Sequence, residues 1–134
     1  MLIASKARIL LADDHAALLG HVARLLGQFY EIVGSVTNGL ELLAAAERLD
    51  PDVLVLDISM PGLDGLEAAR RLKLAGSRSK LVFLTVCEDV DFAREAMGLG
   101  ADGYVVKSRL VSDLLLAISE ALAGHHFVSS PLRF

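Results

Sequence analysis

A chain of 134 residues, 54% apolar and only 5% aromatic, has room for one domain with a core of Leu, Val and Ala, and not for several. Its formal charge of −4 leaves the chain as a whole without a basic footprint for nucleic acid. The single cysteine, Cys87, excludes an internal disulfide and fits a reducing compartment.

The chain opens on MLIASKARILLA, an apolar stretch broken by Ser5, Lys6 and Arg8. No apolar run approaches the roughly 18 residues of a membrane span, and no signal-peptide layout is present. A soluble, cytoplasmic protein with no membrane role is expected. The first strand is predicted at Arg8–Ala12 and the first helix over Ala16–Gln28, where Leu18, Val22, Leu25 and Phe29 recur at helical spacing. A second strand follows at Glu31–Val36. The next helix, Leu40–Leu49, is announced by Asn38 with Glu41 three residues on, a capping box. It stops at Asp50-Pro51, because the residue before proline avoids the helical region. The third strand is Val53–Leu56. Asp64 and Glu67 then cap a helix over Leu66–Ala75, which ends at Gly76. Strands at Lys80–Leu84 and Gly103–Val106 and helices at Val90–Leu99 and Leu110–Ala123 complete the series.

The strands are continuous apolar runs, the pattern of strands covered on both faces. Five βα units predict a doubly wound α/β domain of the flavodoxin-like kind. It has a five-stranded parallel sheet of order 2-1-3-4-5 with helices on both faces, and its site lies at the carboxyl ends of strands 1 and 3. Residues 1–124 form this domain. Residues 125–134, HHFVSSPLRF, show no clear periodicity and read as a tail or the start of a linker.

Five polar residues follow strands directly: Asp13 and Asp14 the first, Asp57 the third, Thr85 the fourth and Lys107 the fifth. In this topology all project from one edge of the sheet. Taken singly, each has a bland reading: an Asp or Thr after a strand commonly caps a helix, and a lone Lys is usually a solvated charge. Together they form a set. Clustered carboxylates repel, and a hard divalent cation relieves the repulsion. Mg²⁺ suits one or two carboxylates, waters and a phosphate. A hydroxyl and an ammonium nearby can grip phosphoryl oxygens. That set fits in-line phosphoryl transfer to a carboxylate.

On Asp13-Asp14, on VLDISMPGLDG around Asp57, on Thr85 and on GYVVK ending in Lys107, residues 8–123 resemble the receiver domain of two-component response regulators. The resemblance implies that Asp57 accepts phosphate from a histidine kinase or a small phosphodonor. It implies that Mg²⁺ is held by Asp57, by Asp14 directly, by Asp13 largely through water and by the backbone carbonyl of Ser59. Lys107 would pair with the phosphoryl group. Thr85 would swing toward it while Tyr104 turns inward, switching the surface of helix 4, strand 5 and helix 5. Core packing is the plain alternative for Tyr104.

Several positions depart from the family's usual pattern. Val86 stands where Ala, Gly or Ser is usual, which narrows access to Asp57. Ser59 and Cys87 fill the two variable positions flanking the phosphate, and neither carries a charge to orient a water, so a long-lived phosphate is expected. Ser108 replaces the proline that usually follows the lysine, which leaves the geometry of the Lys107–Ser108 peptide open.

Asp13-Asp14-His15 and the ending EALAGHHFVSS look like the NarL/FixJ (LuxR-type) group. In that group DNA binding belongs to a helix-turn-helix output domain. None is present in these residues, so this chain is expected to be part of a longer transcription regulator, with a stand-alone receiver as the alternative. His15 could touch solvent or the site, but Mg²⁺ prefers oxygen ligands. His125-His126 is too short a tract to carry a metal reading. In the last helix, 100° spacing puts Leu116 among Ser112, Asp113, Ser119 and Glu120, opposite the apolar face. It is a candidate contact for a homodimer formed on phosphorylation, or for an output domain.

Competing classes fall on single positions. A haloacid-dehalogenase-type phosphatase needs a second Asp two residues after its nucleophile, where this chain has Ser59. A flavodoxin-like flavin binder needs a hydroxyl-rich loop after the first strand, where this chain has Asp13-Asp14-His15. A degenerate receiver that takes no phosphate, acting as an interaction module, is the remaining alternative. The protein is expected to be a phospho-accepting signalling domain, not an enzyme.

Overall fold

In the computed structural model, which describes residues 6–130 and 132, the strand Val53–Leu56 (β3) is buried at all four positions. It lies inside a parallel sheet of order β2-β1-β3-β4-β5-β6. The other strands are Arg8–Ala12 (β1), Glu31–Val36 (β2), Lys80–Thr85 (β4), Gly103–Val106 (β5) and Phe127–Val128 (β6). The helices are Ala16–Gly27 (α1), Gly39–Leu49 (α2), Gly65–Leu74 (α3), Val90–Gly98 (α4) and Leu110–Leu122 (α5), with a 3₁₀ turn at Lys107–Arg109.

Alternate residues of the strands feed two separate cores. Leu10, Leu54, Leu56 and Phe83 pack against Leu42, Ala69, Leu72 and Ala96 of α2, α3 and α4. Ile9, Leu11, Val53, Val55 and Val82 pack against Leu19, Val22 and Leu26 of α1 and Leu114, Ala117 and Ile118 of α5. This division is the doubly wound arrangement: a side chain reaches one layer or the other according to its parity along the strand.

Local chemistry sets the helix ends. The side chains of Asn38 and Asp64 accept from the backbone N–H groups of Glu41 and Glu67, 2.9 and 2.8 Å away, as the capping boxes require. Among the described residues no helix is long and apolar enough to cross a membrane.

The structure corrects expectations at the sheet edge, on α1 and on α5. The sheet has six strands, because Phe127–Val128 pairs with Gly103–Tyr104. The segment read as a tail is therefore packed: Ser129 is wholly buried and Leu132 joins the core. A two-residue strand is too short to show periodicity. The buried stripe of α1 is Leu19, Val22 and Leu26, and Phe29 is exposed, since a leucine-rich helix offers two stripes of equal period. The helix α2 does stop at Asp50 as the following proline predicts, and Asp50 takes the left-handed region, φ 45°, a conformation Asp tolerates when proline bars the right-handed one. Asp113 is buried on α5 rather than facing solvent. Residues 1–5, 131, 133 and 134, the apolar start and part of the supposed tail, lie outside the described residues.

Candidate functional site at the carboxyl ends of the strands

Three strand ends share one local device. Asp13 Oδ1 accepts from the His15 N–H at 2.9 Å, Asp57 Oδ1 from the Ser59 N–H at 3.4 Å, and Thr85 Oγ1 from the Cys87 N–H at 3.2 Å. Each side chain bonds the backbone two residues on, which turns the chain off the sheet and fixes the side chain itself. In both acids this occupies Oδ1 and leaves Oδ2 for another partner.

That partner is Lys107. Its Nζ lies 2.8 Å from Asp13 Oδ2 and 3.0 Å from Asp57 Oδ2. All three side chains are largely buried, with 12%, 5% and 4% exposure for Lys107, Asp13 and Asp57. Burial alone would push the Lys107 ammonium down. Its contacts with Asp13 and Asp57 outweigh that and hold it above the usual lysine value. One ammonium thus faces two buried carboxylates, and the group is short of positive charge.

Asp14 sits at the rim, with its side chain 37% exposed. The ring of His15, itself mostly exposed, places Nδ1 3.2 Å from Asp13 Oδ1 and 3.1 Å from Asp14 Oδ1. Asp13, Asp14 and His15 each offer a ligand atom within 4.8 Å of the others. Asp13 Oδ2 is buried and, among the described residues, makes no aligned hydrogen bond despite its short ionic contact with Lys107. A buried carboxylate oxygen with spare capacity beside an exposed second acid is a fitting donor set for a hard divalent cation.

The remaining predicted residues surround this centre. Thr85 is buried at the end of β4, next to exposed Val86 and half-buried Cys87. Ser59 is exposed. Tyr104 has no exposed surface and donates its hydroxyl to the Cys87 carbonyl at 2.8 Å. Burial first, then Cys87, Asp57 and Asp89, holds its phenol far above the usual value. The ring therefore already lies inward, behind the loop that carries Thr85 and Cys87. The Lys107–Ser108 peptide is trans. Leu116 is 49% exposed on α5.

Two features escaped sequence reasoning. One is the close approach of Gly65 to the Asp57 backbone, for which the only signal was the glycine in the motif itself. The other is a buried polar group of Asp113 and Ser129, signalled only by the Arg109–Asp113 spacing.

Strand-end acids, a bridging lysine and a doubly wound sheet narrow the choice, and comparison with known proteins decides it. Residues 9–119 match the response regulator receiver domain family. The chain belongs to that family. The receiver is similar to the nitrate/nitrite response regulator protein NarL of Escherichia coli K12, 38% identical over 128 residues covering 94% of this chain and 59% of that one. It is also similar to the response regulator GacA of Pseudomonas viridiflava, 36% identical over 124 residues covering 91% and 58%. In structure it matches a LuxR-family two-component response regulator from Aurantimonas sp. SI85-9A1, with TM-score 0.91 at 32% identity over 96% of this chain and 93% of that one. These likenesses put the receiver in the NarL/FixJ (LuxR-type) group. It spans about three-fifths of the length of the curated relatives named here.

Proposed function

We propose that this receiver accepts a phosphoryl group on Asp57 from the phosphohistidine of a sensor histidine kinase. The observation that carries the reading is the double contact of Lys107 with Asp13 and Asp57. It holds the acceptor oxygen still beside a cation that can follow the phosphoryl charge. In the transfer, a carboxylate oxygen of Asp57 bonds to phosphorus as the P–N bond to the kinase imidazole breaks, and the imidazole leaves with the electron pair. Asp14, Asp13, Asp57 and the Ser59 carbonyl would hold Mg²⁺, with Asp14 at the open rim. When bound, Mg²⁺ neutralises charge on the transferring group.

Phosphate adds about −1.5 to −2 charge and three strong acceptors at the site. Lys107 is positioned to pair with them, and the Thr85 hydroxyl can trade its bond from Cys87 for one to a phosphate oxygen. Because Tyr104 is tied to the Cys87 carbonyl, a shift of that loop reaches the ring and with it the α4–β5–α5 surface. That surface would act on a DNA-binding transcription-regulator domain outside this chain. Leu116 offers an apolar contact there for a homodimer; Leu116→Asp should weaken phosphorylation-linked association, measured by sedimentation.

The test is incubation with Mg²⁺ and either a phosphorylated kinase or acetyl phosphate, read by intact mass. Wild type should gain one phosphate and Asp57→Asn none. No gain from either donor would leave the receiver an interaction module only.

A further inference from the structure

The residue that aims Lys107 is the end of β5, and the end of β5 is held by a serine near the far end of the chain. Ser129 has no exposed surface. Its N–H donates to the Tyr104 carbonyl at 2.9 Å, continuing the parallel ladder between β5 and β6. The next ladder bond would run from the Val106 N–H to a carbonyl of β6. The strand ends at Val128, and the Ser129 hydroxyl accepts that bond instead, at 3.2 Å. The same hydroxyl donates to Asp113 Oδ2 at 2.8 Å.

Asp113 gathers the turn that follows. Its Oδ2 also accepts from Arg109 Nε at 3.0 Å, and its Oδ1 from the Ser112 hydroxyl at 2.9 Å. Lys107 is bracketed: Ser129 holds the backbone one residue before it, and Asp113 holds the side chain two residues after it. Both holders are joined to each other. A buried network whose members are all satisfied is stiff, and Lys107 must keep two oxygens within 2.8 and 3.0 Å at once.

We propose that Ser129 and Asp113 are positioning residues for Lys107, and that through them strand β6 couples the carboxyl end of the domain to the Asp13–Asp57 site. The part of this inference that concerns phosphate rests on Asp57 being the acceptor. Movement of β6 then alters the lysine's grip and so the phosphorylation rate. Ser129 also holds Tyr104, its N–H donating to the Tyr104 carbonyl, so the proposed switch residue and the lysine share one anchor.

The experiment uses the full chain with Ser129→Ala, Ser129→Thr and Asp113→Asn, acetyl phosphate with Mg²⁺ as donor, and the side-chain CεH₂ NMR signal of Lys107. Ser129→Ala should slow phosphorylation on the order of tenfold, within what small misplacement costs, and move the Lys107 signal toward that of a solvated lysine. Ser129→Thr, which keeps the hydroxyl, should restore both. In a Lys107→Ala background, Ser129→Ala should add nothing. Should Ser129→Ala not fold, Asp113→Asn, which keeps its side-chain shape, carries the test. An unmoved Lys107 signal overturns the inference, as does an equal slowing in the Lys107→Ala background. If wild type takes no phosphate, the acceptor reading fails while the lysine signal still decides the coupling.

Discussion

A side chain on Gly65 would collide with the backbone carbonyl oxygen of Asp57, and its Cβ would stand 2.9 Å from the Asp57 carbonyl carbon. The Gly65 N–H also donates to the Ile58 carbonyl at 2.7 Å. The start of α3 therefore lies directly on the backbone of Asp57, the proposed acceptor, and glycine is needed for closeness rather than for a special φ. Gly65→Ala must push the two segments apart. Stability should fall by about 1–3 kcal/mol, and the phosphorylation rate by up to about 100-fold if Asp57 shifts by an ångström. Urea unfolding and donor-dependent phosphorylation measure the two effects. A full-rate Gly65→Ala protein would show that the acid's placement tolerates the shift.

Lys107 is the ammonium between two buried acids. Lys107→Met should cost about 3 kcal/mol in metal-free buffer, the lower range for breaking a buried pair. Mg²⁺ should raise the Tm of the variant more than that of wild type, because the bare carboxylates bind the cation more strongly. Adding Asp14→Ala should remove most of the Mg²⁺ effect. Thermal unfolding with and without Mg²⁺ supplies all of these comparisons.

Exposed Ser59 and half-buried Cys87 are the two uncharged positions expected to flank a phosphate on Asp57. Cys87→Glu introduces a carboxylate that can orient an attacking water. The phosphorylated lifetime should shorten in the variant, followed by loss of the phosphate mass over time. Equal lifetimes would mean that these positions do not govern hydrolysis here.

Asp113 gives a pH signature. Burial alone would raise its carboxyl, but the hydrogen bonds from Ser129, Arg109 and Ser112 and the Arg109 charge hold it below the usual carboxylate value. A depressed carboxylate stabilises the fold above its unfolded pKa, and that contribution is lost as pH falls through the folded value. Asp113→Asn should therefore be less stable than wild type by about 2 kcal/mol at pH 7. The gap should narrow as pH falls below about 4, where unfolded aspartate takes up its proton. Urea titrations of both proteins at pH 7 and pH 3 check the sign.

Most of this molecule was legible in the sequence because its strands are uninterrupted apolar runs and its helices carry explicit caps. Asn38, Asp64 and Gly76 fixed boundaries by local chemistry, and Asp13, Asp57, Thr85 and Lys107 fell at one sheet edge by topology alone. What escaped was what depends on tertiary contact. Leu19 and Leu26 were chosen over Leu18 and Leu25 by the sheet they meet. The strand Phe127–Val128 is too short for any period to register. Asp113 looked like a surface residue because its partners, Arg109 and Ser129, come from either side of the helix that carries it.

The central claim is that Asp57 is the phosphoryl acceptor. Its most direct test is borohydride reduction of the phosphorylated protein, which converts an aspartyl phosphate to homoserine, followed by peptide mass mapping. Homoserine at position 57, present only after treatment with donor and Mg²⁺, is the predicted result. A phosphorylated protein with Asp57 unmodified, or with the phosphate on His15 or another residue, would contradict it.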